Sequence, residues 1–403
     1  MTTPHPYSDI ADYRHWRRAP GVEDPAALDP VAAPKFTIGR DEAVATAGSC
    51  FAQHVMRHLA ASGFNTLVAE EAPAIHRTNG GAHFHYGVFS TRSGNVYTAR
   101  QLRQLFARAA GEFVPETNAW ETAEGFIDPF RPSVGPFLSL AELEADRAYH
   151  LSRVRAMMAD LSVFVFTLGL TEGWMDRDGA VFPLAPGVSG GTYDPARHTM
   201  KNFTVDETVA DMRAALAALR AVNPAARVIL TVSPVPLMAT AEDRHVLAST
   251  TYSKAVLRVA AQMLSDADER VDYFPSYEII TAPQVRGRYY GPDARAVTEA
   301  GVSHVMGVFL KHYGGIVAAD VPGHDPAAGV QDRTHLDKTE EIVEVLCDEE
   351  ALDAPRASRR AQKTGRQQDD ARKPRKPEAR PAAESTRDPR ELRRIRRERR
   401  SKA

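Results

Sequence analysis

The stretch AVATAGSCFAQ, residues 43–53, decides the fold. It opens as a short apolar run, breaks at Gly48, presents Ser49 and Cys50, and passes into a helical pattern. An almost unbroken apolar run of strand length reads as a strand covered by helices on both faces. Two later stretches share that character, SVFVFTL at 162–168 and RVILTV at 227–232. With 65–68 and 271–274 they give five strand candidates. Longer amphipathic segments alternate with them, at 52–62, 99–110, 140–160, 205–221, 253–265 and 298–312. In the fourth of these, Val209, Met212, Leu216 and Leu219 form one helical stripe. The alternation predicts an α/β fold of three layers, α/β/α and flavodoxin-like, with a central parallel sheet and right-handed crossovers. Two long stretches rich in Gly, Pro and aromatics, 110–140 and 175–204, read as ordered loops.

Around this body the composition shifts. Residues 351–403 carry 19 Lys+Arg against 8 Asp+Glu, whereas the first 350 carry 31 against 44. The expected organisation is an N-terminal arm at 1–36, an α/β domain at 37–316, an extension with a helix at 317–352, and a disordered basic tail at 353–403. The tail has almost no large apolar residue with which to build a core. A net charge of +11 there favours polyanions without specificity. The chain holds two cysteines and no Cys/His spacing of a zinc site, so neither a disulfide framework, a metal nor another cofactor is expected. No apolar run approaches the ~18 residues of a membrane span. The opening residues lack a basic-then-apolar leader, and a cytoplasmic location is expected.

Ser49 sits where an open α/β sheet binds ligands, beyond the C-terminal end of a strand and at the start of a helix. Unpaired backbone N–H groups there favour developing negative charge. One reading makes Ser49 a nucleophile; the other makes it only a helix cap. Cys50 is a rival nucleophile that also reads as a small buried residue behind the turn.

The string GSCFA at 48–52 is the one that gives the GSCFA family its name, and the resemblance extends in order over roughly 35–315. It includes HYGVFSTRSGNVYTARQL at 85–102, FVFTLGLTEGW at 164–174, LAPGVSGGTYDP at 184–195, LTVSPVPLMAT at 230–240, YSKAVLR at 252–258 and YFPSYEIITA at 273–282. That family resembles the SGNH hydrolases, which implies ester chemistry on a three-layer domain. Carried over, the resemblance makes Ser49 the nucleophile and first oxyanion donor. Gly87 matches the second block, with a plain turn glycine as the competing reading. Gly169 matches the third, but Thr171 and Glu172 stand where Asn-Asp is usual, so the Thr171 hydroxyl takes the place of the Asn as oxyanion donor.

The usual Asp-x-x-His ending is also broken. Asp293 is followed three residues later by Ala296, and the next histidine is His304, inside a predicted helix. Asp293 and His304 are taken as acid and base, with His83 and His85 as alternative bases. The last two form a His-x-His pair that lacks a third metal ligand. The expected function is a serine-dependent esterase or O-acyltransferase acting on an O-acylated small molecule or glycan. The alternative is a noncatalytic member of the same fold that binds a polyanion through its tail.

Overall fold

The computed structural model describes residues 5–73, 85–315 and 348–352. The chain divides into Met1–Asp353 and Ala354–Ala403. The second unit, and with it the expected disordered tail, lies outside the described residues. So do His83 and most of the predicted helix near 334–352. In chain order the elements are β1 (Val44–Gly48), α1 (Phe51–Ala61), α2 (Ala99–Ala110), β2 (Trp120–Thr122), β3 (Gly125–Ile127), α3 (Leu140–Asp160), β4 (Val163–Leu168), β5 (Glu172–Met175), β6 (Val181–Phe182), β7 (Thr199–Asn202), α4 (Val205–Val222), β8 (Arg227–Val232), α5 (Val246–Asp266), β9 (Val271–Phe274), α6 (Ser276–Thr281) and α7 (Glu299–Tyr313).

The central sheet runs β1-β4-β8-β9, parallel throughout. Its side chains alternate between two cores. Ala45, Ala47, Phe164, Phe166, Val228 and Leu230 face one side, with Leu102, Phe106, Val154, Met212 and Leu257 from α2 to α5 packed upon them. Val44, Val163, Val165 and Ile229 face the other, against Phe51, Val55 and Leu59 of α1 and Val305 and Phe309 of α7. Each Val, Leu, Ile, Met or Phe among them contributes about 1.5–3 kcal/mol when buried. That double covering explains why the strands read as continuous apolar runs rather than alternating ones. The helices start where the sequence supplies caps. Thr98 with Gln101 and Thr204 with Glu207 form reciprocal capping boxes at α2 and α4.

Three details differ from the expectation. Residues 65–68 form no strand: Val44 N–H donates to Asn65 O at 2.9 Å and Leu67 N–H to Val44 O at 2.9 Å, leaving one parallel bridge, Val44 to Thr66. After these two bonds the chain turns away, and Ala69 N–H goes to Ser90 O instead. Helix α5 begins at Val246 rather than near 253, because the side chain of His245 caps the Leu247 N–H. The two long loops carry short strands of their own: β2 and β3 pair within the first, and β6 and β7 of the second both pair with β5. No helix among the described residues is long and apolar enough to cross a membrane.

Candidate active site

The parallel bridge at Thr66 lies on one side of β1 and β4 lies on the other, so the chain leaves β1 in one direction and returns in the opposite one. The switch point between β1 and β4 is where an open α/β sheet forms its ligand crevice. Gly48 and Ser49 end one strand there; Leu168 and Gly169 end the other.

Two glycines let these ends meet. Gly48 has φ +135°, and a Cβ on it would lie 2.4 Å from Thr167 O. A Cβ on Gly169 would lie 2.8 Å from Ser49 Cβ. A third segment ties the ends together: Val96 N–H donates to Gly48 O at 2.8 Å, while Tyr97 O accepts from Gly169 N–H at 2.9 Å and Leu170 N–H at 3.0 Å. The side chain of Ser49 is buried, and among the described residues its Oγ has no hydrogen-bond partner. A buried hydroxyl without a partner costs about 1–3 kcal/mol, a cost that functional sites retain.

Lys254, fully buried on α5, donates from Nζ to Gly169 O at 2.7 Å. Burial lowers its amine to about 8 from the ordinary 10.5; the charge of Glu349 and the Cys50 sulfur oppose the shift, and Arg295 adds to it. At pH 7 about a tenth of Lys254 is therefore the uncharged amine, able to accept a proton, and about half is at pH 8. Cys50 occupies the position before α1 and is buried.

The structure does not bring the predicted acid and base to Ser49. His304 Nδ1 pairs with the Tyr289 hydroxyl at 2.7 Å and Nε2 with Leu28 O at 2.8 Å, so the ring ties α7 to the N-terminal arm. Asp293 Oδ1 accepts from Arg295 N–H at 3.0 Å and Ala296 N–H at 3.1 Å, closing its own turn. His85 is buried at a left-handed position with φ 63°, and His83 lies outside the described residues.

Of the predicted oxyanion donors, Ser49, Gly169 and Thr171 are engaged within the fold. Ser49 N–H goes to Thr167 O at 3.1 Å, and Gly169 N–H to Tyr97 O. Thr171 N–H goes to Ser253 Oγ at 3.0 Å and its hydroxyl to Asn202 Oδ1 at 2.7 Å. Gly87 is an exposed turn glycine with φ +72°. Glu172 accepts from the Thr240 hydroxyl at 2.7 Å and so anchors the loop after β8. Among the described residues no group of three or more His, Cys, Asp or Glu could hold a metal ion.

Two residues escaped the sequence reading. Lys254 falls on the buried stripe of α5 with Ser253, Leu257, Ala260, Ala261 and Leu264, and a lysine on an apolar stripe is a visible signal. Asn95 lies in the quoted block at 85–102 and donates from Nδ2 to Asp348 Oδ2 at 3.1 Å. Nothing in local sequence announces that contact, since 253 residues separate the partners.

The family model of the GSCFA family matches residues 43–309. No curated protein matches the chain.

Proposed function

We propose that this chain, which belongs to the GSCFA family, is a serine-dependent esterase or O-acyltransferase acting on an O-acylated glycan or small molecule. One observation carries the reading: at the switch point Ser49 packs on Gly169, whose carbonyl receives the buried Lys254 amine. In this reading Lys254 takes the role that the resemblance gave to a histidine, as in serine–lysine sites on other folds. Its neutral amine draws the proton from Ser49 Oγ as the oxygen attacks the acyl carbon. The ester C–O bond then breaks, and the leaving alkoxide takes the proton from the ammonium. Water or a sugar hydroxyl attacks the acyl-enzyme in the second half and releases Ser49. The partial positive charge at the start of α1 favours the oxyanion.

The experiment is Ser49→Ala, assayed on p-nitrophenyl acetate and on acetylated glycans. Turnover is expected to fall by at least about 10³-fold. Unchanged turnover removes Ser49 from the mechanism.

A second reading, a noncatalytic binding protein on the same fold, draws support from the amides of Ser49, Gly169 and Thr171 being spent within the fold. A wild-type protein that hydrolyses neither substrate favours it.

A further inference from the structure

The short 3₁₀ segment Asp348–Leu352 packs its first two side chains into the domain, and both are buried. Asp348 accepts from Asn95, whose neighbour Val96 holds the Gly48 carbonyl. Glu349 Oε2 accepts from Arg295 Nη2 at 2.9 Å, and the side chains of this ion pair are only 14% and 7% exposed. Arg295 is itself fixed by a bond from Nε to Pro236 O at 3.2 Å, in the loop after β8. Glu349 also lies close enough for its charge to act on Lys254. The two adjacent carboxylates thus take donors from Asn95, beside the residue that holds the Gly48 carbonyl, and from Arg295, which bonds the loop after β8 and whose charge reaches Lys254. Burying two carboxylates costs several kcal/mol unless fixed donors receive them, and here fixed donors do.

We propose that Asn95 and Arg295 form a carboxylate-binding subsite of the candidate active site, and that Asp348 and Glu349 are tethered ligands occupying it. The subsite selects acylated substrates that also carry a carboxylate, such as an O-acylated acidic sugar, and the tether competes with them. This rests on the reading of Ser49 as nucleophile only for the substrate's second half. Carboxylate binding stands apart from it.

A substrate must first displace the acidic pair, so the pair raises the apparent KM without entering the chemistry. An arginine fork suits a planar carboxylate, and Asn95 adds a directed N–H.

The test uses the full chain carrying Asp348→Asn and Glu349→Gln together, near-isosteric changes that remove charge without creating cavities. Succinate is the probe, and the unfolding midpoint and fluorophosphonate labelling of Ser49 are the readouts. In the double variant succinate is expected to raise the midpoint saturably, by about 2 °C or more at excess, with a much smaller response in the wild type. Adding Arg295→Gln is expected to abolish the response, while circular dichroism confirms the fold. Labelling of Ser49 should quicken in the double variant and slow again with succinate. No succinate response in the double variant overturns the proposal, as does a response that survives Arg295→Gln. Absence of labelling in every variant, with the succinate response intact, sinks the Ser49 reading and leaves the subsite standing.

Discussion

Lys254 donates its amine to the carbonyl oxygen of Gly169 at 2.7 Å. That contact joins the only buried lysine among the described residues to the strand end on which Ser49 packs. A buried cation is costly, and its neutral form is correspondingly favoured.

Lys254→Met keeps the length and apolar stem of the side chain while removing the base. Turnover should drop by about 10²–10⁴-fold, with folding stability near pH 7 unchanged or raised. The wild-type rate should climb with pH through about 8 as the ammonium loses its proton. A rate profile in the Met variant that still rises through that range assigns the ionisation elsewhere.

Gly169→Ala tests the contact from the other side. The added methyl would sit 2.8 Å from Ser49 Cβ and 3.3 Å from Tyr97 Cα. The serine must shift by a few tenths of an ångström or more, which is enough to misplace a nucleophile. kcat should fall about 10-fold or more while denaturant unfolding moves by no more than about 1–3 kcal/mol.

Gly48→Ala should behave differently. A Cβ there would meet the Thr167 backbone at 2.4 Å and 2.7 Å, and backbone cannot step aside within a paired sheet. Added to the positive φ, this should cost about 2 kcal/mol or more in urea unfolding. A variant as stable as the wild type contradicts the close approach of β1 and β4.

The fold was legible because its decisive strands are covered on both faces, so runs such as 162–168 announced themselves without an alignment of charges or turns. Ser49 was legible because a Gly-Ser break after an apolar run marks a strand end. The residues packed around it were not, for physical reasons. The Asp-x-x-His pattern points to Asp293 and His304, yet Asp293 serves its own turn and His304 bridges Tyr289 and Leu28. Lys254 was readable only as a misfit on an apolar helix stripe. Asp348 and Glu349 reach the site through tertiary folding over more than 50 residues from Arg295, a distance that no local pattern encodes.

Acid should unfold the domain through buried imidazoles. Burial holds His54 down to about 3 against its ordinary 6.5, with the charges of Arg57 and His58 acting in the same direction, and burial lowers His150 as well. Below about 6.5 the unfolded chain therefore binds protons that the folded chain refuses, so stability is lost as pH falls from 6.5 toward 3. His54→Leu should lose at least about 1 kcal/mol less than the wild type on going from neutral pH to about pH 4. Equal losses in the two proteins rule out His54 as a source of the acid sensitivity.

If the Ser49 oxygen does covalent chemistry, peptide mapping after treatment with a fluorophosphonate will find it modified. A single phosphonyl adduct is expected on the peptide containing Ser49, lost in Ser49→Ala and slowed in Lys254→Met. An adduct on another residue, or none even in the Asp348→Asn, Glu349→Gln variant, contradicts covalent chemistry at Ser49.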